Sequence, residues 1–335
     1  MKLALVGLGY WGPNLLRVFN TLGVLAAAFD KDVNKLKKFA TNPVYRGVHF
    51  DTEWEHCLGR NDVDGVVIAT PPNTHHMIAT KAIAAGKHVF VEKPMTLSVK
   101  ESEEIVALAN EHNRVVMVGH IFLYSPEIIK LKEIVQSDDF GDIHYAYIQR
   151  LNLGQIQAPA NVVEDLAPHD ISILNYLFNS ECSEVLTIAS SHVIDSEDVA
   201  FVSMKYKNGV MAHLHLSWLD PLKVRKTVIV GSKQMVVCDS GSKQIEVYNK
   251  GVDIEERSQL SNLSYDRHLM SYRYGDIVIP YIDNAEPMML ECKEFIDCIE
   301  NNKTPLADEV LGLEVVKTLE AMQRSLKEGQ QWVKV

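Results

Sequence analysis

Two short stretches of this chain have the residue types and the spacing that proton transfer requires. Glu92 and Lys93 stand side by side before Pro94, directly after the apolar run His88-Val89-Phe90-Val91. That run reads as the end of a buried strand. A lysine at the carboxyl end of such a strand projects toward the crevice where open α/β sheets bind ligands. Partial desolvation there lowers its pKa and suits it to move a proton. Pro94 fixes its own φ, keeps Lys93 out of the helical region and admits a cis bond, which sequence does not decide. A solvated Glu–Lys pair in a turn is the competing reading. The second stretch is Glu164-Asp165-Leu166-Ala167-Pro168-His169-Asp170. Asp165 and His169, at i and i+4, share one face of a helix. A carboxylate that orients an imidazole sets up a general acid/base, and Pro168 implies a first turn or a kink. A plain helix N-terminus with acids near the dipole accounts for the same spacing, so spacing alone leaves both open.

The N-terminus carries a different chemistry. Lys2 to Val6 reads as a strand, followed by Gly7-Leu8-Gly9-Tyr10-Trp11-Gly12, a helical pattern of Leu15, Leu16, Val18 and Phe19, and a second apolar run, Val24 to Phe29, ending in Asp30. Strand, glycine loop, helix, strand and acid make the context that the dinucleotide fingerprint requires. Gly7 permits the tight turn, Gly9 lets the backbone approach a pyrophosphate, and Gly12 lets helix and strand pack closely. The phosphates would sit at the helix N-terminus, where free N–H groups and the dipole favour negative charge. Asp30 lies 23 positions after Gly7. A carboxylate there accepts from the ribose hydroxyls and repels a 2′-phosphate, which favours NAD over NADP; Lys31 beside it partly offsets that repulsion. Capping the helix that follows is the alternative role for Asp30.

The elements that must hold these residues follow a βα rhythm up to His120. Asp64 to Thr70 is a buried strand running into Pro71-Pro72-Asn73-Thr74-His75-His76. Here Asn73 or Thr74 can cap a helix, and the two histidines read as capping or packing residues before catalysts. Ser98 to Asn110 is a helix capped by Ser98, and Val115 to Val118 is a strand ending at Gly119-His120. Strands alternating with helices give a doubly wound parallel sheet. After His120 the pattern changes. Helices are expected over Ser125–Val135 and Asn161–Phe178, with a strand over Ile143–Leu151 between them. From Val185 strands dominate, joined by hairpin signals at Lys207-Asn208-Gly209, Gly231-Ser232-Lys233 and Ser240-Gly241-Ser242. This is an antiparallel meander. His213 and His215 share one strand face, and no nearby cysteine or carboxylate completes a metal ligand set. Pro287–Ile299 and Ala307–Leu326 read as closing helices, and Gln331–Val335 as a returning edge strand.

Bulk properties narrow the class. The length of 335 residues fits two domains. A net charge of −11 argues against nucleic acid and anionic membrane surfaces as partners. No run approaches a membrane span, and the N-terminal apolar run is too short for a signal sequence. The five cysteines are scattered without a C-x-x-C, which points to reduced thiols in a cytoplasmic protein with neither a zinc site nor a disulfide framework.

With Gly7-x-Gly9-x-x-Gly12, Thr70-Pro71-Pro72-Asn73, Glu92-Lys93-Pro94 and Asp165-x-x-x-His169 assembled, the chain resembles the Gfo/Idh/MocA family of oxidoreductases along essentially its whole length. The resemblance implies an N-terminal Rossmann domain over 1–121 and a C-terminal α+β domain over 122–335, whose large, mostly antiparallel open sheet often makes dimers and tetramers. It implies that Lys93 and His169 are the catalytic pair, with Asp165 supporting them. Cofactor contacts are expected from Gly7, Leu8, Gly9, Tyr10, Trp11, Gly12, Asp30, Thr70, Pro71, Asn73, His75, Glu92, Lys93 and His120. Substrate contacts are expected from Lys93, Tyr124, Arg150, Asn152, Asp165 and His169. The implied reaction is NAD-dependent oxidation of a sugar or cyclitol hydroxyl, or the reverse reduction. Gly119-His120-Ile121-Phe122-Leu123-Tyr124 and Pro168-His169-Asp170 look like members that oxidise C3 of a UDP-sugar, such as UDP-N-acetylglucosamine or its uronate. Where many members have a glycine-rich lead-in to the Asp-x-x-x-His motif, this chain has Asn161-Val162-Val163-Glu164. A member that holds cofactor without turnover is the rival from another class, and the intact Lys93, Asp165 and His169 argue against it. Which of Lys93 and His169 takes the proton is left open, since their titrations can be coupled.

Overall fold

The computed structural model describes residues 1–154, 160–255 and 269–335. They form two compact units, each made from two stretches of chain: Met1–Ser125 with Ala285–Glu320, and Pro126–Asn284 with Ala321–Val335.

The first unit opens with β1 (Leu3–Val6), α1 (Gly12–Thr21), β2 (Leu25–Phe29), α2 (Val33–Ala40), β3 (His49–Asp51), β4 (Gly65–Ile68), α3 (His75–Ala84), β5 (His88–Glu92), α4 (Val99–His112) and β6 (Val116–Gly119). The six strands are parallel and lie in the order β3-β2-β1-β4-β5-β6. This is the doubly wound Rossmann order, with its switch point between β1 and β4. β1, β4 and β6 are buried at every residue, as strands covered on both faces must be. Ser98 caps α4 through the Glu101 N–H as expected, while α2 is capped by Asp32, whose side chain accepts from the Asn34 N–H.

The second unit follows with α5 (Pro126–Val135), β7 (Ile143–Leu153), α6 (Val162–Phe178), β8 (Cys182–Ser190), β9 (Val199–Tyr206), β10 (Met211–Ser217), β11 (Leu219–Gly231), β12 (Met235–Asp239), β13 (Gln244–Tyr248), β14 (Gly251–Glu255), β15 (Leu269–Arg273) and β16 (Ile277–Val278). Each expected hairpin is present: β9 with β10, β11 with β12, and β12 with β13. One junction is not a meander. β7 lies between β10 and β11, antiparallel to β11 and parallel to β10. The passage through α6 explains it: the helix reverses the chain, so β8 leaves in the same direction as β7, and the two reversals β8–β9–β10 restore that direction. Alternation then gives the sheet two unlike faces. Ala146, Ile148, Ala212, Leu214 and Leu216 are buried on one, and Tyr145, Tyr147, Phe201 and Met211 are exposed on the other. On this open face the Phe201 ring stacks on His215 at 4.4 Å and on His213 at 6.3 Å.

The chain then gives α7 (Pro287–Asn301), α8 (Glu309–Lys327) and β17 (Val333–Lys334). β17 pairs with β8 and forms the returning edge strand of the nine-stranded sheet. Sequence reading placed both closing helices in the second domain, whereas residues 285–320 pack in the first unit. The free edge of β6 is the physical reason. An open strand edge needs cover, and the segment before α8 supplies it: the Val118 N–H donates to the Ala307 carbonyl at 2.8 Å, and Met117 bridges to Asp308. Phe295 of α7 meets Phe90 of β5 edge-on at 5.6 Å, extending the core.

α6 begins with a capping box. The Asn161 side chain accepts from the Glu164 N–H, and the Glu164 side chain accepts from the Asn161 N–H. Asn161 also donates to Glu197 at 3.0 Å and to Gln323 at 3.3 Å. Asn161→Ala is expected to lower the unfolding free energy by about 1–2 kcal/mol, measured by urea denaturation, and Asn161→Asp, which keeps the cap acceptor but sets a carboxylate against Glu197, should recover only part of that loss.

Candidate active site

The glycine loop leaves β1 at the switch point. Gly7 has φ +101°, and a Cβ on it would come within 2.5 Å of the Ala69 carbonyl oxygen at the end of β4. A Cβ on Gly12 would stand 2.1 Å from the Gly7 carbonyl oxygen. Beside Gly9 the same construction meets nothing within 4 Å, so the loop backbone is open to an incoming group there. No side chain caps α1 and no acid sits in its first turn, which leaves its N–H groups and dipole for an anion. These features fit a dinucleotide pyrophosphate.

Asp30 follows β2, and its side chain is 8% exposed. Its Oδ2 accepts from the Leu8 N–H at 2.7 Å and its Oδ1 from the Asp32 N–H at 2.9 Å. The capping role belongs to Asp32, so Asp30 remains as an acceptor at the strand end. The cation paired with it is Lys35, Nζ 3.7 Å from Oδ2, one helical turn beyond the Lys31 that sequence singled out.

The β4 and β5 ends are tied together. The His75 ring is 1% exposed, with Nδ1 2.9 Å from the Pro94 carbonyl and Nε2 2.9 Å from the Thr70 carbonyl. Burial holds its pKa below the ordinary value, so the neutral ring donates to one of these carbonyls at a time. The Thr74 hydroxyl lies 2.6 Å from the Thr70 hydroxyl and donates to the Pro71 carbonyl at 2.7 Å. The Lys93–Pro94 bond is cis. Glu92 receives the Lys93 backbone N–H at 3.3 Å, and the Trp11 side chain is among the groups that favour its ionised form. Gly119 makes room for that carboxyl, since a Cβ there would meet Glu92 Oε2 at 3.0 Å. Burial pushes Glu92 up to about 8, with the charge of Lys93 acting in the opposite direction. His120, 1% exposed, is pushed down to about 3 by burial and then by Lys93, so its ring is neutral. Tyr124 is 4% exposed and lies inside the first unit, where burial and then the charge of Glu294 raise the pKa of its hydroxyl.

In the second unit Asp165 and His169 stand one turn apart on α6. Pro168 lies beyond the first turn, and the helix continues through it; lacking an N–H, it releases the Glu164 carbonyl from the ladder. Asp165 Oδ2 accepts from Trp218 Nε1 at 3.2 Å. Asp170, fully buried, accepts from Arg150 Nε at 2.8 Å, and Arg225 lies opposite Arg150 in the β7–β11 register. Burial and then Arg150 depress the Arg225 pKa, while Asp170 and Asp165 act in the other sense. Asn152 is half-buried on the same strand as Arg150. Sequence reading missed Trp218 and Arg225. The basic run Lys223-Val224-Arg225-Lys226 inside an apolar strand was the signal available for Arg225.

A Rossmann unit with this glycine cradle and strand-end acid, in one chain with a second unit built on a large sheet, defines an NAD-binding oxidoreductase. The chain belongs to the Gfo/Idh/MocA family. Residues 1–120 match the family's NAD-binding Rossmann fold and residues 128–237 match its C-terminal domain. It is 27% identical over 252 residues to UDP-N-acetylglucosamine 3-dehydrogenase of Acidithiobacillus ferrooxidans, covering 75% of this chain and 78% of that protein. The solved structure of that enzyme superposes with a TM-score of 0.84 at 22% identity over 99% of both chains. Inositol 2-dehydrogenase of Acidothermus cellulolyticus is 26% identical over 65% of this chain and 66% of that protein. GenD2 from gentamicin A biosynthesis, solved in complex with NAD, has a TM-score of 0.81 at 22% identity, covering 100% of this chain and 96% of that one.

Titration is expected to show NADH binding more tightly than NADPH, with Asp30→Ala narrowing the gap. A wild type that prefers NADPH would contradict the role given to the Asp30 carboxylate.

Proposed function

We propose that the protein oxidises a secondary hydroxyl of a sugar with NAD, and that C3 of a UDP-linked sugar such as UDP-N-acetylglucosamine is the position attacked. The observation that carries the chemistry is the placement of Lys93 at the carboxyl end of β5, in the same unit as the dinucleotide cradle. The similarity to UDP-N-acetylglucosamine 3-dehydrogenase supports the substrate class. Arg225, half-buried in the second unit, is suited to the negative charge of a diphosphate or uronate, whereas Arg150, expected from the sequence as a substrate contact, is buried and paired with Asp170.

In this reading Gly7–Gly12 and the N-terminus of α1 would hold the pyrophosphate, and Asp30 the adenosine ribose. Bound NAD supplies the hydride acceptor. Lys93 or His169 takes the hydroxyl proton as the carbinol carbon is oxidised and returns it when a ketone is reduced. Asp165 sits one turn before His169 on α6, the spacing at which a carboxylate orients an imidazole. Trp218 donates to Asp165 and holds that carboxylate in place.

The similarity to inositol 2-dehydrogenase supports a free cyclitol as the second substrate class. A spectrophotometric screen separates the two: NADH formation with UDP-N-acetylglucosamine should exceed that with myo-inositol, and the reverse order would assign the cyclitol. Lys93→Ala should lower turnover by about 10²–10⁴-fold while leaving NADH affinity nearly intact. His169→Ala should behave similarly, and the double variant should lose less than the product of the single losses if both act as one. Wild-type turnover in Lys93→Ala would end the assignment.

The exposed aromatic face of the nine-stranded sheet supports a homodimer or homotetramer. The protein is expected to sediment as one of these at micromolar concentration. A Phe201→Asp, Tyr147→Asp double variant should sediment as a smaller species.

A further inference from the structure

The parallel sheet has a second end. At the amino ends of β4, β5 and β6, away from the glycine loop, a cavity of about 460 Å³ is lined by Asn61, Asp64, Lys87, His88, Arg114 and Glu300. All six belong to the first unit, and none takes part in the chemistry proposed above.

His88 fixes what the cavity offers. Its Nδ1 accepts from the Val115 N–H at 2.9 Å. A neutral imidazole with one accepting nitrogen carries its proton on the other, so Nε2 is a donor. The ring is neutral, because burial and then Arg114 push His88 down to about 4, with Asp64 acting in the opposite sense. Arg114 Nη1 stands 3.3 Å from Nε2, and a guanidinium only donates. Two donors meet there, and neither can satisfy the other. The Arg114 Nε donates to the His112 carbonyl at 2.9 Å, which sets the guanidinium beside the ring without neutralising it. Lys87 is a second cation. It is buried, and its Nζ donates to the Arg60 carbonyl at 2.8 Å and to the Val63 carbonyl at 2.7 Å. Two neutral carbonyls fix the ammonium in place, keep its charge and leave it a further N–H. The carboxylates of the cavity, Asp64 and Glu300, are both exposed to solvent, and Asp64 already receives the Lys2 N–H at 2.7 Å. Positive charge therefore lies inside and screened negative charge at the rim.

We propose that this cavity binds a phosphate group, free or carried by a small hydroxylated molecule, through Arg114 and the Nε2–H of His88, with the Lys87 charge behind them. Phosphate oxygens give the two opposed donors the acceptor they share. Two cations and an N–H suit a dianion better than a single carboxylate. The volume falls in the range of small-molecule sites, and the rim residues Asn61, Asp64 and Glu300 can accept hydroxyls of a body attached to the phosphate. The site lies at the opposite strand ends from Gly7–Gly12, so its occupant does not compete with the dinucleotide.

The test is a calorimetric titration of inorganic phosphate into protein saturated with NADH, which fills the glycine cradle. Wild type should bind the ion, and Arg114→Gln should bind it at least about tenfold more weakly. No binding by wild type, or equal binding by the two, overturns the proposal. Glycerol phosphate in the same titration separates the two sources: tighter binding than inorganic phosphate assigns an ester, and equal or weaker binding assigns the free ion. Nitrogen-15 NMR of the His88 ring needs no variant. The ring should be the Nε2–H tautomer, with an Nε2 signal that moves as phosphate is added. An Nδ1–H tautomer, or a signal indifferent to phosphate, overturns the proposal. Neither measurement uses turnover, so the outcome is independent of the substrate assigned above.

Discussion

The carboxyl edge of the parallel sheet depends on one close approach, that of the Gly7 backbone to the Ala69 carbonyl. β1 and β4 are neighbours whose connecting helices leave on opposite faces, so their ends are where the sheet opens. Any Cβ at Gly7 would force those ends apart. With the approach in place, α1 starts over the Gly7 carbonyl, and the loop between reaches a further strand end. Leu8 is anchored to Asp30 after β2, so a backbone donor of the loop ties the end of β1 to the end of β2 without a long side chain that would fill the crevice.

Both units hold ionisable groups away from water, and they do so differently. In the second unit the buried Arg150 and Asp170 are opposite charges, and their hydrogen bonds offset much of the desolvation cost of bringing them inside. In the first unit Glu92 and Glu291 are like charges. Desolvation is met there by keeping protons on the carboxyls. The second arrangement responds to pH near neutrality, since Glu92 is pushed up to about 8. Proton chemistry belongs with the second.

What the sequence made legible was local. The glycine fingerprint, the cap at Ser98, the hairpin turns and the i, i+4 pairing of Asp165 with His169 each rest on residues a few positions apart, where spacing alone dictates geometry. What escaped it is long-range. Glu291 reads as one more acid in an amphipathic helix, and only the packing of α7 against the β5 end places it beside Glu92. Arg225 meets Arg150 through strand register, which nothing in either segment announces. The return of residues 285–320 to the first unit follows from the uncovered edge of β6, a property of the assembled sheet. Asp30 was legible as an acceptor, but its hold on Leu8 was not, since a backbone N–H leaves no trace in a sequence.

That hold has an evolutionary consequence. A lineage drifting toward a 2′-phosphorylated cofactor would need to remove the Asp30 carboxylate, and the same step would cut the anchor of the glycine loop. The first mutation along that route therefore loosens the loop that grips either dinucleotide before any new preference can form. A neutral side chain that still accepts from Leu8, such as asparagine or serine, gives the path a passable intermediate. Cofactor preference in this chain is in this sense locked by the backbone as much as by the charge.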